Sequence, residues 1–155
     1  MPTEEWQATA IAKINGPTAE QVWPLLADFS NLYKIFPSDI SFTIQGSNGQ
    51  PGQIRYSAGK YPSPTDANAI IVLWAREELM EIDASQKFVT YKIHENNRGL
   101  SNFTGTMQVL PDGESGCTFK WSVVSAPVAG STYEEIVAFQ QATLLQMVSM
   151  IEKLF

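Results

Sequence analysis

The stretch Ser131–Leu154, STYEEIVAFQQATLLQMVSMIEKL, decides the fold. Two capping-box spacings open it, Ser131-x-x-Glu134 and Thr132-x-x-Glu135, in which a hydroxyl and a carboxylate each satisfy a free backbone N–H at a helix start. Behind them Ile136, Val137, Phe139, Leu144, Met147, Val148, Ile151 and Leu154 recur at helical spacing. The pattern predicts a helix of about 22 residues, roughly 33 Å at 1.5 Å per residue. Its apolar stripe must lie against another element.

The rest of the chain supplies that element. Residues 6–14, WQATAIAKI, read as a strand with Ala8, Ala10, Ala12 and Ile14 on one face and Thr9, Ile11 and Lys13 on the other. Gly16-Pro17 ends it, and Thr18 with Gln21 three residues on starts a helix that carries Val22, Leu25 and Leu26 inward. Pro24 should limit or bend that helix. Asp28 or Ser30 caps a second short helix that must end near Phe36-Pro37. From residue 40 the period becomes two, and segments 40–45, 53–58, 70–82, 87–95, 101–109 and 116–125 read as strands between Gly, Pro, Asn and Asp turns. The order is that of a single α+β domain over residues 1–155, in which a curved antiparallel sheet wraps the long helix.

Composition narrows the function. The 155 residues carry 10 Lys and Arg against 16 Asp and Glu, a formal charge of -6. That balance argues against a nucleic-acid partner, which needs clustered cations, and against anionic membranes. Four Trp, five Tyr and eight Phe either fill a solid core or line a cavity. Cys117 is the one cysteine, which excludes an internal disulfide and fits a reducing compartment. MPTEEWQAT has glutamates where a signal peptide has basic residues, and no apolar run reaches the ~20 residues of a membrane span. The expectation is a cytoplasmic monomer.

Four features bear on chemistry. In GSNGQPGQIRY, residues 46–56, the glycines lie between two strand patterns, whereas a phosphate loop joins a strand to a helix and continues into Lys-Ser or Lys-Thr. They read as a hairpin turn. Arg55 follows, and alternation in Gln53-Ile54-Arg55-Tyr56-Ser57 puts it on the polar, solvent face. Glu77 sits between Ala75 and Leu79 on one face of strand 70–82, a position that a glutamate occupies when buried with a partner, or else as an ordinary surface group. One histidine, His94, and one cysteine provide neither a zinc site nor a catalytic triad, so no metal is expected, and Cys117 reads as structural.

The stretches TAEQVWPLLADFSNLYKIFP, GSNGQPGQIRY, WAREELMEID and GTMQVLP, with the late GCTFKWSVV, resemble plant lachrymatory-factor-synthase-like proteins. These belong to the START-like, birch-pollen-allergen superfamily, often labelled polyketide cyclase/dehydrase. The resemblance implies a helix-grip fold, a seven-stranded sheet gripping the long helix with a cavity between them, and a small hydrophobic molecule as partner. It places Arg55, of the R-Y pair, inside that cavity, against the alternation, and it matches the family's catalytic glutamate to Glu77 rather than Glu78. Tyr91 and Ile93 share one inward face, and Phe103 and Met107 another. The family's enzyme, which isomerises an alkenyl sulfenic acid, has a tyrosine where this chain has Phe103, so one hydroxyl is missing. Leu73 and Ala75 share the face of Glu77, while Phe119 and Trp121 are either core or lining. Phe139, Thr143 and Met147 of the helix would close the cavity. Gly59-Lys60-Tyr61-Pro62-Ser63-Pro64 and Asn96-Asn97-Arg98-Gly99-Leu100 are its expected mouth loops.

The resemblance then implies a cofactor-free isomerase or cyclase. Arg55 would hold an anionic oxygen and Glu77 would move the proton. The same pair also suits a carrier or sensor that performs no chemistry, and a structural protein with an incidental cavity is a third reading.

Overall fold

Seven strands and three helical segments follow the order that the hydrophobic period predicts. The computed structural model describes residues 4–155 apart from residues 64, 67 and 114. Strand β1 (Trp6–Ile14) is followed by helix α1 (Ala19–Ala27) and a 3-10 helix (Phe29–Lys34). Then come β2 (Ile40–Gln45), β3 (Ile54–Pro62), β4 (Ile70–Asp83), β5 (Phe88–Asn96), β6 (Phe103–Pro111), β7 (Cys117–Ser125) and helix α2 (Tyr133–Glu152). The strands form one antiparallel sheet in the order β1-β7-β6-β5-β4-β3-β2, so the first two strands lie at opposite edges. This is the helix-grip arrangement, with α1 and the 3-10 helix connecting the two edges.

The helices start where the capping boxes predict. Thr18 Oγ1 accepts from Gln21 N at 3.3 Å, and Gln21 Oε1 accepts from Thr18 N at 2.9 Å. Pro24 sits inside α1, which ends three residues later at Ala27. At α2 it is Thr132, not Ser131, that caps: Oγ1 accepts from Glu135 N at 3.1 Å. The buried residues of α2 are Gln140, Thr143, Leu144, Met147, Val148 and Ile151, a three-to-four repeat. The helix stops at Glu152, and Leu154, expected to be its last apolar position, lies beyond it and is exposed. Leu26, Phe29, Leu79, Phe119 and Met147 are fully buried in one cluster between sheet and helices, each contributing about 1.5–3 kcal/mol through removal from water.

β3 is longer than its pattern suggested. Gly59–Pro62, expected as the start of a mouth loop, continue the strand and pair with β4 as far as Pro62↔Ile70. Pro62 is tolerated there because a terminal strand residue can do without its N–H. Pro64, the end of that expected loop, lies outside the described residues.

On β2 and β3 the polarity of the two faces is reversed. Ser41 and Thr43 pair with Ser57 and Arg55 and share their inward face. Ile40, Phe42 and Ile44 point outward and are about half exposed, at 51%, 51% and 48%. The inward polar groups are bonded to the 3-10 helix: Gln53, fully buried, donates from Nε2 to Ser30 Oγ at 2.8 Å and Thr43 Oγ1 at 2.9 Å. Its Oε1 accepts from Gly49 N at 2.8 Å and so ties down the β2–β3 turn. Gly46 begins that turn at φ 84°, where an added Cβ would lie 2.9 Å from Gln53 Cα. The glycine loop is thus a hairpin. Outside, the rings of Phe42, Tyr56 and Trp74 form a ladder with centroids 5.3 Å and 6.0 Å apart.

Among the described residues no helix is long and apolar enough to cross a membrane.

Candidate functional site

The β3–β4 register places Arg55 directly opposite Glu77. Ala75, Glu77 and Leu79 all face inward. A register shift between Leu79 and Glu81 then reverses the alternation, leaving Glu81 exposed and bringing Ile82 against the core. Arg55 Nη2 donates to Glu77 Oε1 at 2.9 Å, with the side chains only 5% and 10% exposed. Arg55 Nη1 donates to Phe29 O at 3.0 Å, and the guanidinium carbon lies 4.5 Å above the centroid of the Phe29 ring. Its Nε is buried without a partner. The second carboxylate oxygen of Glu77 accepts nothing from the described residues.

Tyr91 provides the third polar group. Its hydroxyl accepts from Trp121 Nε1 at 3.0 Å and donates to none of the described residues. Burial, reinforced by the negative charge of Glu77, pushes the phenol pKa well above its ordinary value, so the proton stays in place as a hydrogen-bond donor. Gly105 stands opposite Tyr91 on β6. A Cβ at Gly105 would lie 2.5 Å from the Tyr91 hydroxyl oxygen, so only glycine leaves room for this ring.

These groups face a cavity of about 60 Å³. Ile93, Phe103, Met107 and Trp121 form its sheet wall. Leu32 and Phe36 cover it from the 3-10 segment, and Ile136, Phe139 and Gln140 from α2. Arg98 and Leu100, on the β5–β6 connection, separate it from an outer cleft of about 420 Å³. A small recess of about 30 Å³ opens beside Glu77 and Arg98.

Of the sequence-predicted residues, Arg55, Glu77, Tyr91, Ile93, Phe103, Met107, Trp121 and Phe139 thus meet at one cavity. Leu73 lines the outer cleft and the recess, and Ala75 the recess alone. Phe119, Thr143 and Met147 line none of these spaces. Phe119 precedes Trp121, the first lining residue of β7, and Thr143 and Met147 follow Gln140, the last of α2; all three are buried and fill the core instead. The alternation of β3, which put Arg55 in solvent, is overturned by the reversed faces described above. His94 bonds Glu78 on the exposed side at 2.8 Å, and Cys117 is buried, its thiol pKa pushed up by that burial. Among the described residues no three His, Cys, Asp or Glu side chains cluster.

Sequence reasoning missed Gln140, whose Nε2 donates to Trp121 O at 2.9 Å. The signal was present: Gln140 falls on the helical stripe of Leu144 and Met147, where an amide requires a buried partner.

A family model described as polyketide cyclase / dehydrase and lipid transport matches residues 5–149. Among solved structures, the protein XoxI from Bacillus cereus superposes with a TM-score of 0.72 at 20% identity, covering 97% of this chain and 95% of that one. A protein from Bacillus thuringiensis gives 0.72 at 23% identity, covering 96% and 98%. One from Nitrosospira multiformis gives 0.70 at 15%, covering 95% and 94%. These bacterial proteins share the fold, and at such identities they carry nothing more.

Proposed function

We propose a reading that proceeds from one premise: the chain belongs to the polyketide cyclase / dehydrase and lipid transport family. In this reading the inner cavity is the site of a cofactor-free isomerase or cyclase that moves a proton on a small, largely apolar molecule. The observation that carries it is the free carboxylate oxygen of Glu77 beside two donors, Arg55 and Tyr91, in an otherwise apolar cavity. Glu77 takes a proton from the carbon next to a carbonyl-like group. The electron pair moves onto the carbonyl oxygen, where the guanidinium and the phenol O–H stabilise the enolate. Returning the proton to another carbon completes an isomerisation; alternatively the enolate carbon attacks a second carbonyl in the same molecule, and Glu77 gives its proton to the alkoxide so formed, which completes a cyclisation. Leu32, Phe36 and Phe103 exclude water and so strengthen these interactions. The resemblance to plant lachrymatory-factor-synthase-like proteins supports the same roles for Arg55 and Glu77.

Two observations favour a carrier instead. Phe103, its ring centroid 6.2 Å from that of Tyr91, offers no hydroxyl, and Arg55 and Glu77 neutralise each other without a ligand.

A single experiment separates the readings: 4-phenylbutan-2-one, a ketone with an apolar arm, is incubated with the protein in D2O and followed by proton NMR. Catalysed exchange of its α-protons, abolished in Glu77→Gln with the fold intact, is the expected result. Binding without exchange assigns the carrier role, and no binding at all defeats both.

A further inference from the structure

The charges around the cavity do not balance. Arg55 and Glu77 cancel each other at 2.9 Å. Of the three arginines in the chain, Arg55 pairs with Glu77 and Arg76 with Glu95, while Arg98 has no carboxylate partner among the described residues. Arg98 is also the residue common to the walls of the inner cavity, the recess and the outer cleft. It is half-buried, and its guanidinium carbon lies 5.2 Å from the centroid of the Phe139 ring. That contact supports the guanidinium without using any of its five N–H donors.

The loop that carries Arg98 is braced. Asn96 Oδ1 accepts from Arg98 N at 2.9 Å and Leu100 N at 3.1 Å, and its Nδ2 donates to Leu100 O at 2.9 Å. Asn97 ties the loop to β4, donating to Val72 O and accepting from Trp74 N, both at 2.8 Å. Glu135, the carboxylate lining the outer cleft, is engaged at the start of α2, accepting from Thr132 N at 3.3 Å and Thr132 Oγ1 at 3.2 Å. The backbone that carries Arg98 is therefore fixed and its guanidinium rests on Phe139, while its N–H donors bond none of the described residues.

From this we infer that Arg98 is an anion anchor and that the ligand is a small amphiphilic carboxylate. Its acid group forks onto Arg98 at the junction of cleft and cavity, and its apolar body runs inward toward Tyr91 and Glu77. The inference rests on the reading above that the cavity takes an apolar ligand. A wholly apolar ligand would cover Arg98 and leave its donors unpaired, whereas a carboxylate satisfies them with two parallel charge-assisted bonds. The opposite orientation would press the ligand's carboxylate against that of Glu77, so the head group stays at the mouth.

The test uses two probes of equal length, octanoate and octan-1-ol, titrated calorimetrically into the whole protein at neutral pH. Octanoate should bind about tenfold more tightly, the value of one charge-assisted interaction at a half-buried site, and added salt should narrow the gap. In Arg98→Gln the octanoate advantage should vanish while octanol affinity is kept, and Arg98→Lys should retain part of it. If octanol binds and octanoate binds no more tightly, the anchor is overturned and the apolar-cavity reading stands. If Arg98→Gln weakens both probes equally, Arg98 only packs and the anchor is again overturned. If neither probe binds the wild type, both proposals fall.

Discussion

Removing the charge from one side of the Arg55–Glu77 pair should be far more damaging than removing the pair. Both side chains are at least nine-tenths buried, and each is the other's only ionic partner among the described residues. Glu77→Leu strands a guanidinium that keeps just one hydrogen bond, to Phe29 O. Arg55→Met strands a carboxylate and also frees that carbonyl. Breaking a buried pair from one side destabilises by about 3–5 kcal/mol, because the remaining charge is left without compensation. The double variant Arg55→Met/Glu77→Leu leaves no buried charge, and the one group it strands is the Phe29 carbonyl, which sets its penalty at about 1–3 kcal/mol. The two single losses should therefore sum to several kcal/mol more than the double loss. Urea unfolding followed by far-ultraviolet circular dichroism measures all four species, with unchanged denaturant slopes confirming one transition. Single penalties below about 1 kcal/mol that simply add in the double variant would mean that water reaches the pair. The electrostatic argument for the site would then fail.

Two further outcomes follow from Tyr91. Gly105→Ala places a methyl group 2.7 Å from Tyr91 Cε1; it should destabilise by about 1–3 kcal/mol, and the penalty should vanish in a Tyr91→Ala background. An equal penalty in both backgrounds would rule out the clash as its cause. Because the folded pKa of Tyr91 lies above its ordinary 10.0, the unfolded chain loses this proton first as pH rises. The contribution is neutral below that pH, and above it stability should fall by about 1.4 kcal/mol per pH unit. Tyr91→Phe should flatten this part of the alkaline stability profile, and parallel profiles for the two proteins would contradict it.

What the sequence revealed, and what it hid, has one physical cause. Period-two alternation tells which side chains share a face, but not which face is wet. Glu77 was legible because its neighbours on that face, Ala75 and Leu79, are apolar and mark it as inward. Arg55 was not, because Gln53 and Ser57 flank it on a face that meets the carbonyl and hydroxyl groups of the 3-10 helix rather than an oily core. Only the family resemblance placed it correctly. The long helix and the capping residue of α1 could be read because hydrophobic spacing and local hydrogen bonds are encoded within a few residues. The depth at which the cavity stops is set by strands and helices distant in sequence, so Phe119 and Met147 could not be told from lining residues. Arg98 appeared as one member of a loop, and nothing local to it shows that three spaces converge there.

The reversed faces of β2 also bear on how the protein behaves at high concentration. ISFTIQ, residues 40–45, contains no charge and no proline, turns alternate apolar side chains outward, and runs along the open edge of the sheet. Such a segment is a template for adding further strands and a seed for cross-β stacking. Its inward side is pinned by the Gln53 network, and its local guards are Asp39, just before it, and the irregular pairing between Thr43 and Gln45. The remaining deterrent is mutual repulsion between molecules carrying a formal charge of -6, which ordinary salt confines to about 8–10 Å. Colloidal shelf life is therefore governed by pH and ionic strength through this edge, separately from the folding stability that the buried core provides.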